Sequence, residues 1–111
     1  MALAGPKASA LLDMLCGKLP DERSTSREIE LGYAPGLLLR WPAPAGFYLL
    51  TPTEFAAGVH ERIADAGGNH GLRHAGSLAA GTLAIAQGAR RFGTEANPQI
   101  SAVAAGIDAN L

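Results

Sequence analysis

Residues 28–41, EIELGYAPGLLLRW, decide the fold because their polar and apolar side chains change in a regular pattern. Glutamates alternate with apolar residues over 28–31, and this period of two predicts a strand with one face in water. The Pro–Gly pair at 35–36 has the order of a type II turn, and residues 37–41 predict a second strand. FYLL at 47–50 predicts a third, and the short connections favour antiparallel neighbours.

Helical patterns flank this predicted three-stranded meander on both sides. The stretch TPTE at 51–54 combines a threonine N-cap, a proline and a glutamate, which is a capping-box start. Spacing and caps predict helices over four ranges: 8–19, 51–66, 69–91 and from Asn97 onward. The predicted fold is therefore α+β, with an N-terminal helix, a three-stranded antiparallel meander and then three helices packed on one face of the sheet.

The composition indicates one small domain, residues 1–111, with an exposed connection at 20–28 that is charged, hydroxyl-rich and aperiodic. Charged residues are 17% of the chain and the net charge is −1, so no electrostatic field for nucleic acid or anionic membrane is predicted. We find no signal-peptide pattern and no apolar run long enough to span a bilayer. A cytoplasmic, soluble protein is the resulting expectation.

The third predicted helix carries the favoured functional surface. Gly81, Ala84 and Gly88 make a flat stripe of small residues, beside a bulkier stripe that contains Leu78 and Ile85. A helix that is apolar on more than one side must be covered on more than one side. The sequence thus predicts a non-enzymatic interaction module that forms a homodimer or binds another protein through this helix or through a sheet edge.

The helix junction at residues 60–76, which contains GGNHGLRHAG, supports a different hypothesis. If one helix holds both His70 and His74, their imidazoles share a face and can bind one Zn²⁺ or similar ion, with His60 reaching back to help. Arg73 near a helix N-terminus can hold an anion. The alternative is therefore a ligand- or metal-binding protein, or an enzyme, with its site at this junction.

A helix-turn-helix is a further alternative, because two predicted helices are joined by a glycine turn with Arg90 and Arg91 near the far end. Nucleic acid is the least favoured partner, since the second helix offers few polar side chains to base edges. No nucleophile motif or paired carboxylates stand out, so no catalytic residue, cofactor or metal set is predicted. Cys16, among leucines, is expected to be a buried apolar residue.

Overall fold

The computed structural model describes residues 1–17, 19–20, 25–41, 46–88, 97–100 and 104. The chain divides into two compact units, Met1–His74 and Ala75–Leu111. The first unit contains, in chain order, these elements: β1 (Ala2–Ala4), α1 (Ala8–Cys16), β2 (Ser26–Leu31), β3 (Ala34–Trp41), β4 (Gly46–Leu50), α2 (Thr53–Gly67) and a 3-10 turn (Gly68–His70). The second unit contains α3 (Ser77–Ala86).

The four strands form one antiparallel sheet in the order β1-β4-β3-β2. The α+β class and the antiparallel pairing agree with the sequence, but the predicted element order and strand count are wrong. The first element is a strand, and the sheet has four strands. With three residues, β1 is too short to display an alternation that sequence analysis can detect.

Gly46 lets β1 pair closely with β4. A Cβ atom at Gly46 would collide with the carbonyl oxygen of Leu3 and would lie 2.9 Å from the Cα atom of Ala4. Leu3 pairs with Phe47 in this register, and both side chains are buried. Glycine at the start of β4 is therefore a requirement of the fourth strand.

The turn between β2 and β3 also differs from the prediction, which placed it at 34–36. The chain reverses at Gly32 and Tyr33, where Gly32 has a φ of +69° that favours glycine. Pro35 instead lies inside β3, opposite Glu30 of β2. Proline has no amide hydrogen to donate, but no hydrogen bond to β4 is lost here, because the pairing of β3 with β4 starts at Leu37.

The core lies between one face of the sheet and the helices α1 and α2. Strand residues Leu38 and Leu49 are opposite each other at its centre and are almost fully buried, as are Leu11 and Leu12 of α1. The buried apolar residues are Leu3, Ala8, Leu11, Leu12, Ile29, Leu31, Ala34, Leu38, Phe47, Leu49, Val59 and Ile63. The side chains at alternate strand positions therefore point away from this core.

Helix α2 begins at Thr53, and its N-cap is Pro52, without a side-chain cap hydrogen bond. The predicted capping box at Thr51 is thus wrong. The Thr51 hydroxyl donates instead to the carbonyl oxygen of Pro35, at 2.9 Å. This hydrogen bond ties the segment before α2 to the start of β3.

The single helix predicted over 69–91 is not formed. After α2 the chain folds back, because the amide of Leu72 donates to the carbonyl oxygen of Gly67 at 3.0 Å, and α3 begins at Ser77. None of the ten residues of α3 is buried. The helix predicted from Asn97 lies mostly outside the described residues. None of the described helices has the length and hydropathy that a bilayer crossing needs.

Candidate functional site

The helix junction holds the four residues predicted as a ligand site, but it groups them differently. The rings of His60 and His74 stack, with centroids 5.1 Å apart and planes 27° apart. His70 lies in the 3-10 turn, and its Nδ1 atom is 3.3 Å from the carbonyl oxygen of Ala66. His74 therefore faces His60 of α2, whereas the helix-face pair with His70 does not form.

Leu72 anchors the loop that carries these residues. Its side chain packs against the core cluster, directly over Gly67. A Cβ atom added at Gly67 would lie 2.6 Å from the Cβ atom of Leu72. The absence of a side chain at Gly67 thus makes room for Leu72, and Leu72 positions its neighbours in the loop.

Arg73 and His70 line a groove at the start of α1, which we call the junction groove. Its volume is about 480 Å³, and Lys7 contributes a third basic side chain. The groove is lined by Leu3, Ala4, Gly5, Pro6, Lys7, Ala8, Leu11, His70, Gly71, Leu72 and Arg73. No acidic residue is among them. Lys7 was not identified from the sequence, because it is more than sixty positions away from the loop it faces.

The second face of the sheet carries an apolar surface that α1 and α2 do not cover. Leu37 and Leu39 of β3 are half-buried, while Tyr48 and Leu50 of β4 are 37% and 54% exposed. These residues alternate with the core positions Leu38 and Leu49. The sheet therefore presents apolar side chains on both faces, whereas an antiparallel sheet with one solvated face usually alternates apolar with polar residues.

A groove of about 800 Å³ crosses the β2 side of this open face, and we call it the sheet groove. Its lining consists of Glu28, Ile29, Glu30, Pro35, Gly36, Leu37, Leu50, Thr51 and Pro52. Glu28 and Glu30 are exposed and make no ion pair with another described residue. Two carboxylates beside an apolar wall can bind a cation that carries an apolar group, because the carboxylates pair with the charge and the wall contacts the apolar group.

The sequence predicts that the glutamates of β2 lie on the solvent-exposed face of a strand, and it does not indicate a site there. The available signal is the period of two, which places Glu28 and Glu30 on the same side of the sheet as Leu37 and Leu39. The burial of the alternate positions Leu38 and Leu49 shows that α1 and α2 pack against the other side of the sheet.

The described residues contain no group of three or more His, Cys, Asp or Glu side chains that could share a metal ion. No polar or charged residue is buried in the core of this part of the chain. Cys16 is half-buried against the core, and this burial raises the pKa of its thiol. The sequence predicts a buried cysteine, and the structure buries Cys16 only in part.

Helix α3 exposes the residues predicted as an interface. Leu78 is 88% exposed and Ile85 is 73% exposed, and Gly81 and Ala84 are partly covered. Gly88 follows the helix with a φ of +73°. Arg73 lies in the loop that precedes α3, and Arg90 and Arg91 lie outside the described residues, so the described part contains no basic reading helix.

The chain thus forms a small α+β domain with one antiparallel sheet and two grooves, the sheet groove and the junction groove. The chain belongs to the GCVT N-terminal domain family, whose model matches residues 1–110. No individual curated protein matches the sequence. The family match gives no support to the prediction of a non-enzymatic module.

Proposed function

We propose that the chain contributes a substrate-binding surface to an enzyme of the aminomethyltransferase type. The observation that carries this proposal is the match of the GCVT N-terminal domain family over residues 1–110, a family with an aminomethyltransferase-type fold. The proposal continues the hypothesis of a ligand-binding protein or enzyme that the sequence left open. It does not assign a catalytic residue.

The chemistry of the transferred group favours the sheet groove as the place where it binds. An aminomethyl group ends in an amine, which as an ammonium ion is a compact cation with three hydrogen-bond donors. Glu28 and Glu30 supply two carboxylates that have no other ion-pair partner in the described residues. Leu37 and Leu50 supply an apolar wall for the rest of the molecule, and the volume suits a small ligand.

Benzylamine is a direct probe, because it is an aminomethyl group on an apolar ring. Benzyl alcohol has the same shape without the charge. We expect benzylamine to bind about fivefold more tightly than benzyl alcohol, since two exposed ion pairs together supply about 1 kcal/mol. The affinities are measured by titration of the ¹⁵N-labelled protein, followed through its amide shifts.

Two double variants with the same change of net charge separate the sheet groove from general electrostatic attraction. Glu28→Gln with Glu30→Gln is expected to abolish the preference for benzylamine. Glu54→Gln with Glu61→Gln, on the exposed surface of α2, is expected to keep it. Equal affinity of the wild-type protein for the two probes contradicts the assignment of the amine to this groove.

Self-association through α3 is a second proposed function, favoured by its exposed apolar side chains. Leu78 and Ile85 are seven residues apart, two helical turns, and both are largely exposed. We expect a mass of twice 11.4 kDa by light scattering. Leu78→Asp with Ile85→Asp should yield monomers, whereas Ala80→Asp on the opposite side of the helix should not. A wild-type monomer at every concentration contradicts this proposal.

A further inference from the structure

The junction groove combines basic side chains with apolar walls. Lys7 and Arg73 come from separate segments of the chain and are both exposed, and neither side chain makes an ion pair or hydrogen bond with another described residue. His70 adds a third basic group. Leu11 and Leu72 belong to the walls of the same groove. Two basic side chains without an ion-pair partner among the described residues therefore line a space that an organic molecule can enter.

We propose that the junction groove binds the carboxylate or phosphate group of a small organic anion, with its apolar portion against Leu11 and Leu72. Arginine and lysine are the side chains that bind such oxyanions most strongly, through charge-assisted hydrogen bonds. The His70 ring is oriented by the contact of its Nδ1 atom with the Ala66 carbonyl oxygen, at 3.3 Å. This site is separate from the sheet groove and does not depend on the aminomethyl assignment.

The backbone on both sides of the groove is held in place before any ligand arrives. Lys7 lies between β1, which is paired with β4, and α1, whose Leu11 amide donates to the Lys7 carbonyl oxygen at 3.1 Å. Arg73 follows Leu72, which is fixed by its packing and by its amide hydrogen bond to Gly67. The binding energy is thus not spent on ordering the chain.

Benzoate and phenyl phosphate test the proposal, with benzyl alcohol as the uncharged probe. Titration of the ¹⁵N-labelled protein should show amide shifts at Gly5, Lys7 and Ala8 and at residues 70–73 with either anion and not with benzyl alcohol. The more tightly bound anion identifies which oxyanion the groove prefers. Raising the salt from about 0.05 M to about 0.5 M NaCl should weaken binding of both anions, because the cations are exposed.

Matched variants decide whether these particular cations are responsible. Lys7→Ala with Arg73→Ala is expected to weaken anion binding about tenfold, since hydrogen bonds to charged groups are the stronger class. Arg27→Ala with Arg62→Ala removes the same charge from exposed positions outside the groove and should leave the affinity unchanged. Equal losses in both double variants, or shifts that do not differ from those with benzyl alcohol, overturn the proposal.

Discussion

Replacing Gly67 by alanine should destabilise the protein, although alanine is the better helix former. The added Cβ atom would lie 2.6 Å from the Cβ atom of Leu72, about 1 Å closer than an optimal carbon–carbon contact. A new rotamer of Leu72 cannot relieve this conflict, because its own Cβ atom is involved. The backbone of the loop must move, and Leu72 then loses part of its packing against the core.

The expected net loss of stability is about 1–2 kcal/mol: an overpacking cost of about 2–3 kcal/mol, in the upper part of the usual range because the backbone must move, less about 1 kcal/mol for the helix propensity of alanine. For a chain of this size such a loss lowers the Tm by about 4–15 °C. The assay is thermal unfolding followed by circular dichroism. The same sample should bind benzoate more weakly, because Arg73 moves with Leu72.

Gly58 provides the matched control, since it lies inside the same helix with open space around the position of an added Cβ atom. Gly58→Ala should raise stability by about 0.5–1 kcal/mol. The reasoning is refuted if Gly67→Ala is as stable as the wild type. It is equally refuted if both alanine variants change the Tm in the same direction by the same amount.

Three further predictions concern the sheet and the cysteine. Gly46→Ala should detach β1, lose about 1–3 kcal/mol and speed hydrogen exchange of the Leu49 amide, which donates to the Met1 carbonyl oxygen; unchanged exchange contradicts this. Leu38→Ala, at a fully buried position of a central strand, should lower the free energy of unfolding in urea by about 2–5 kcal/mol. A smaller loss than that of the exposed variant Leu50→Ala would contradict the placement of Leu38 in the core. Burial raises the pKa of the Cys16 thiol in the folded state. The thiol therefore contributes fully to the free energy of unfolding below its unfolded-state pKa, and this contribution is lost as the pH rises through its folded-state pKa. Iodoacetamide should accordingly modify Cys16 in the folded protein more slowly than in urea, and equal rates would contradict the burial.

The alternation of residues along the central strands was sufficient to predict the α+β class and the antiparallel sheet. It was insufficient for the turn, because the Pro35–Gly36 pair has turn-forming chemistry in a place where the structure continues a strand. Pro35 can lie in β3 because β4 pairs with β3 only from Leu37 onward, so the missing amide hydrogen of Pro35 costs no hydrogen bond to β4. That information is tertiary and is not contained in the local sequence.

The candidate sites were predicted only in part for a similar reason. The basic residues and glycines of GGNHGLRHAG indicate a candidate site, and two of them, His70 and Arg73, line a groove in the structure. Lys7 contributes to that groove from a segment more than sixty positions earlier in the chain. Glu28 and Glu30 become candidates only because α1 and α2 leave their side of the sheet uncovered. Their spatial neighbours depend on the order of strands, which periodicity does not determine.

One pair of titrations on a single ¹⁵N-labelled sample tests most directly the claim that this domain binds oppositely charged groups at two separate grooves. Benzylamine is predicted to shift amides at residues 28–30 and 49–51, and benzoate is predicted to shift amides at residues 5, 7, 8 and 70–73. Each probe should still bind when the other is saturating. Shifts at one shared set of residues, or competition between the two probes, would contradict the account.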